Sequence, residues 1–120
     1  MLTIKQSTIK GAGLGVFAIQ DIRKGSRLGE YCGKKLSKEE YEDMKDNDRN
    51  YIFEVHRPNQ STFYIDGNCV LAKVNGAKTT RQKKRINVEA YQYAQRIYFR
   101  TTKEVPKGTE LIIDYGDEYW

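Results

Sequence analysis

A mainly β domain of the α+β kind, with one short helix, is the fold class the sequence predicts. Segments rich in Val, Ile, Phe and Tyr recur along the whole chain, breaks of Gly, Pro and Asn separate them, and a single stretch carries a helix-start signal. At 120 residues the chain fits one domain, residues 1–120, large enough to bury a core without a disulfide or a metal. The 9 Tyr, 4 Phe and 1 Trp supply that core although the mean hydropathy is -0.77.

Residues 2–7 and 14–19 read as strands, with Gly11, Gly13 and Gly15 between them. Arg23, Lys24 and Gly25 form a turn, and 26–36 reads as one further strand. Ser37 followed three residues later by Glu40 has the spacing of a capping box and predicts a helix to about residue 45. Tyr41 and Met44 give that helix a narrow apolar stripe, suited to lying on a sheet. Strands follow at 51–55, 63–66, 86–93, 97–102 and 111–115, with breaks at Pro58 and Asn59 and at Pro106, Lys107 and Gly108.

Composition narrows the function classes. Cys32, Cys69 and the single His56 are too few for a Cys/His zinc site, so metal chemistry is not expected. No apolar run is long enough to span a membrane and no leader pattern opens the chain, so an intracellular protein is expected. The net charge of +5 is segregated. Residues 73–85 carry Lys73, Lys78, Arg81, Lys83, Lys84 and Arg85 without an acid, whereas 110–120 carry Glu110, Asp114, Asp117 and Glu118 without a base. The basic stretch could follow a phosphate backbone or be a solvated loop, and no aromatic residue interleaves it to stack on bases. The run from Gly11 to Gly15 fails as a dinucleotide loop, because the last glycine is missing and a strand follows where a helix should begin. Bare backbone at Gly13 would still let main-chain groups approach a ligand that has an amino-acid head.

The order of motifs adds a family resemblance. Ile9-Lys10-Gly11-Ala12-Gly13-Leu14-Gly15-Val16-Phe17-Ala18 comes first, then Ile22-Arg23-Lys24-Gly25 and Gly29-Glu30-Tyr31-Cys32-Gly33. Asn50 to Val55, Tyr64-Ile65-Asp66-Gly67-Asn68, and Pro106 to Leu111 leading to Asp114-Tyr115-Gly116 complete the series. In this order the chain resembles a SET domain, the fold of S-adenosylmethionine-dependent protein lysine methyltransferases, in a minimal form like those that stand alone in some viruses and microbes. The resemblance implies several small β-sheets and a threaded C-terminal segment.

It also implies roles. Gly13 and Leu14 would offer backbone groups to the methionine end of the cofactor, Tyr31 would border that site, and Trp120 would stack on adenine or close the core. Asn75 matches the signature asparagine, although Gly76 replaces the histidine that follows it in relatives and Ala72 stands where an arginine is usual. Tyr115 is the expected catalytic residue and Tyr51 a second wall of the lysine channel. Ile113, two residues before Tyr115, offers no hydroxyl to hold a water there, which predicts di- or trimethylated product. A tyrosine hydroxyl of pKa about 10 is a poor base at neutral pH and serves better to orient a neutral amine.

The implied partner is a basic protein, with a histone tail or nucleosome among the candidates, which the acids Glu110, Asp114, Asp117 and Glu118 would favour from the surface. A weak nucleic-acid contact and a homodimer are also compatible, and a histone substrate would make the protein nuclear. Two other classes stay open: a SET-like binding module without catalysis, and a nucleic-acid binder using residues 73–85.

Overall fold

The computed structural model describes residues 1–44 and 52–114. Along the chain the strands are β1 (Leu2–Gln6), β2 (Leu14–Ala18), β3 (Arg27–Glu30), β4 (Gly33–Leu36), β5 (Ile52–Val55), β6 (Phe63–Gly67), β7 (Asn75–Gly76), β8 (Val88–Tyr93), β9 (Arg96–Thr101) and β10 (Ile112–Ile113). Helix α1 (Lys38–Asp43) lies between β4 and β5, and helix α2 (Thr80–Lys83) between β7 and β8. A 3-10 turn over Val70–Lys73 leads into β7.

These strands form three sheets: β1-β2, the five-stranded β3-β9-β8-β10-β7, and β4-β6-β5. The mainly β expectation holds, but the single helix does not. Thr79 and Gln82 form a second reciprocal capping box, satisfying two backbone donors at the start of α2 just as Ser37 and Glu40 do for α1. Residues 26–36 are also not one strand. β3 pairs antiparallel with β9 and β4 with β6, so the chain changes sheets at Tyr31 and Cys32.

That corner is filled by Tyr31, whose ring stacks on Phe99 at 5.2 Å and meets Phe53 edge-on at 4.7 Å. A side chain at Gly67 would collide with the Tyr31 ring, so glycine there admits the aromatic cluster. Val16, Val55, Val74, Val88, Leu111 and Ile113 extend the same core between the sheets.

The last described strand is inserted into the five-stranded sheet. Leu111 N–H donates to Val16 at 2.8 Å beside β2, and β10 then inserts between β7 and β8, parallel to both. Buried Asn87 clamps it there: its Oδ1 accepts from Ile112 N–H at 2.8 Å and its Nδ2 donates to the Glu110 carbonyl at 3.0 Å. Since a parallel strand of two residues has few ladder bonds of its own, the side-chain clamp fixes its register.

Candidate functional site

Residues 7–13 join β1 to β2 in a loop closed by Ser7 N–H donating to the Gly13 carbonyl at 2.7 Å. Gly13 has φ of 73° with nothing within 4 Å of the place a Cβ would occupy, so glycine serves conformation there. At Gly15 the need is space. A methyl group would collide with the Glu110 carboxylate and stand 3.2 Å from Asn75 Nδ2.

Glu110 is 2% exposed, which corrects the expectation of a surface acid that attracts a basic peptide. Its Oε2 accepts from the Ser7 hydroxyl at 2.7 Å and from Asn75 Nδ2 at 3.2 Å. Its Oε1 accepts from Thr8 N–H at 2.9 Å and from the Thr8 hydroxyl at 2.5 Å. Burial, the largest single influence, pushes its carboxyl up, but the donors from Thr8, Ser7 and Asn75 together outweigh it and hold the group below the usual carboxylate range. Arg85 lies 3.7 Å from Oε1 and donates to Thr8 Oγ1 at 2.5 Å.

Asn75 is 8% exposed, and its Nδ2 also donates to the Leu14 carbonyl at 3.0 Å. Both of its partners are acceptors, so the amide can point only one way. The same orientation leaves Oδ1 without a donor among the described residues. A buried acceptor without a partner is costly, by about 1–3 kcal/mol, and a ligand donor would relieve that cost. Asn75 and Gly76 face Ile9, Lys10, Gly11 and Ala12 across a cavity of about 360 Å³, within the range of about 300–1,000 Å³ usual for small-molecule sites.

The other expected site residues distribute unevenly. Gly13 and Leu14 adjoin this cavity without lining it, and the Leu14 carbonyl is engaged by Asn75. Tyr31 has no exposed surface and packs in the aromatic core against Phe99, and it does not line this cavity. Ile113 is also fully buried, in register with Gly76 and Val88, and its carbonyl accepts from Ala77 N–H at 3.1 Å. Tyr51, Tyr115 and Trp120 lie outside the described residues. Residues 73–85 are not one solvated stretch: Val74 to Ala77 are buried, and the exposed cations gather on and around α2. Glu110 and Asn87 organise this site without a signal in the sequence. Only their contacts with distant segments reveal the role, and no local spacing marks it.

The family described as PR domain zinc finger protein 2, PR domain, matches residues 2–120. The chain belongs to this PR-domain family. Human histone-lysine N-methyltransferase PRDM7 is 30% identical over 124 residues, an alignment covering 98% of this chain and 24% of that protein. Among solved structures, the SET domain of the RIZ1 tumor suppressor (PRDM2) superposes with a TM-score of 0.73 at 28% identity, covering 98% of this chain and 70% of that one. The Polycomb repressive complex 2 of Chaetomium thermophilum, in an autoinhibited conformation bound to S-adenosylmethionine, gives 0.72 at 25% identity over 97% of this chain and 15% of its own. The PR domain described here therefore has the SET-domain fold. It spans about a quarter or less of the length of the curated relatives it matches.

Proposed function

We propose that this PR domain is an S-adenosylmethionine-dependent protein-lysine N-methyltransferase acting on a histone tail or another basic protein, and that its place of work is the nucleus. The observation that carries the reading is Asn75, anchored through Nδ2 to Leu14 and Glu110 with Oδ1 left to accept from a donor at the cavity. The ammonium of an amino-acid head group is such a donor, and the backbone of Gly11 and Ala12 faces it without bulky side chains. The residues present therefore fit the cofactor, which supplies a methyl group on a sulfonium and needs no metal.

The chain's part is alignment. A lysine amine attacks only when neutral, and with a pKa of about 10.4 it must lose its proton to solvent before the N–C bond forms and the S–C bond breaks. Tyr115 is assigned to orient that amine through its hydroxyl, with Tyr51 as a second wall of the channel. Strand β10, clamped by Asn87, ends at Ile113, two residues before Tyr115 in the sequence. With Glu110 buried, Asp114 is an exposed acid of this segment among the described residues.

Incubation with core histones and S-adenosylmethionine in the presence of a chelator, followed by intact-mass measurement, tests the reading. Mass increments of whole methyl groups on a histone are expected. Unmodified histones together with no cofactor binding at millimolar concentration would reduce the domain to a binding module.

A further inference from the structure

The outer face of the β3-β9-β8 sheet alternates cations and rings. Tyr91 and Tyr98 are cross-strand partners with centroids 5.7 Å apart, and Tyr93 opposite Arg96 is 66% exposed. The Arg27 guanidinium lies 4.2 Å from the Tyr98 centroid and its Nε donates to the Tyr91 hydroxyl at 2.8 Å, while Arg100 sits 4.3 Å from the Tyr91 centroid. The opposite face of the same strands holds Val88, Ile97 and Phe99 in the core, so strict alternation commits the rings and arginines to the surface.

At the hairpin end this face meets a cleft of about 890 Å³, remote from Asn75, which Arg96 also lines. Phe63 stands in that cleft with Lys35 at 5.2 Å and Arg57 at 5.0 Å from its ring. Arg57 is held by its Nε donating to the Ser61 carbonyl at 2.7 Å. Glu30 pairs with Arg96 and Glu89 with Arg100, but Arg27, Lys35, Lys38 and Arg57 have no carboxylate partner among the described residues.

We infer that this face and cleft form one track for single-stranded nucleic acid, with phosphates at the unpaired cations and bases against the tyrosines and the arginine planes that cover them. Interleaved rings distinguish this surface from the basic residues around α2, where the sequence offers charge alone. An acidic peptide would use the cations and leave the rings idle, and a duplex would hide its base faces. The inference is independent of methyl transfer.

Fluorescence anisotropy with a labelled oligothymidylate and with an unrelated duplex of equal length, each at several salt concentrations, tests it on the full chain. Single strands should bind more tightly than the duplex. Tyr93→Ala, at a position too exposed to matter for the core, should weaken single-strand binding at least about fivefold, as expected for a lost stacking contact. The pair Lys35→Gln and Arg57→Gln should reduce the salt slope by about 1.4, roughly 0.7 for each single-strand phosphate contact removed. Circular dichroism confirms that each variant is folded. Equal binding of duplex and single strand, full affinity in the folded variants, or complete displacement by a polyglutamate peptide at equal charge would overturn the inference, the last in favour of an acidic protein partner.

Discussion

Asn75 Nδ2 lies 3.2 Å from Glu110 Oε2, so a residue at the head of β7 and one just before β10 share a hydrogen bond across 35 positions of sequence. Glu110 in turn holds Ser7 and Thr8, and Asn75 holds Leu14. The glycine loop, Asn75 and the segment leading into β10 are thus one connected polar unit, and disturbing any member should be felt at the cavity.

Asn75→Ala should weaken S-adenosylmethionine binding by tenfold or more in calorimetry, since it removes both the anchor and the free acceptor. About 1–3 kcal/mol of stability should go with it, because Glu110 and the Leu14 carbonyl lose a buried donor. Wild-type affinity in a folded Asn75→Ala protein would move the cofactor elsewhere.

Glu110→Gln should lower neutral-pH stability by at least about 2 kcal/mol, the scale of a lost charge-assisted bond. The sign of the pH dependence follows from the lowered carboxyl. Its stabilisation is fully present above the unfolded value of about 4.3 and is lost as pH falls through the lower folded value. Thermal melts should therefore show the wild type losing more stability than Glu110→Gln on acidification below about pH 4.3. Parallel curves for the two proteins would contradict the ionised, bonded carboxylate.

Much of this fold is legible locally. Alternation and breaks predict β1, β2, β6 and β9 to within a residue or so, and the Ser37 and Glu40 box predicts α1, because these signals lie within a few positions of one another. Thr79 and Gln82 carry the same capping-box spacing for α2, but the surrounding cations make the stretch read as a solvated loop. The change of sheet at Tyr31 was hidden, since the residues around it have strand character on both sides and only their partners differ. Glu110 follows a Pro-Lys-Gly turn and reads as a surface acid, because its donors Ser7 and Thr8 stand more than a hundred positions away.

Tyr115→Phe should retain the fold and lower turnover by one to several orders of magnitude with little change in cofactor affinity, as expected for loss of a positioned hydroxyl. Single-turnover kinetics on a histone peptide check this. Unchanged turnover would put the catalytic role on another tyrosine, with Tyr51 the next to test.

The wild-type protein under excess cofactor should carry a single-lysine peptide to the di- or trimethyl state, read by mass spectrometry. Ile113→Tyr should shift product toward monomethyl, but at a fully buried position the larger ring also overpacks the core at about 1–3 kcal/mol, so the comparison requires a melt showing the variant folded. Exclusively monomethylated product from the wild type would refute the open-pocket account.

The basic residues around α2 should separate into two groups. Arg85→Gln should reduce stability and cofactor affinity, because Arg85 braces Thr8 and Glu110, whereas Lys83→Gln with Lys84→Gln should leave both unchanged. Calorimetry and melts of the two variants check this, and equal effects would show that Arg85 acts only as surface charge.

The most direct measurement of the central claim is a titration of isotope-labelled protein with S-adenosylmethionine, following backbone amide resonances. The largest shifts should fall on Gly11, Ala12, Gly13, Leu14, Asn75 and Gly76, with a smaller response at Thr8 carried through Glu110. Saturating cofactor that leaves these amides unmoved, or shifts confined to the cleft around Arg57 and Phe63, would contradict it.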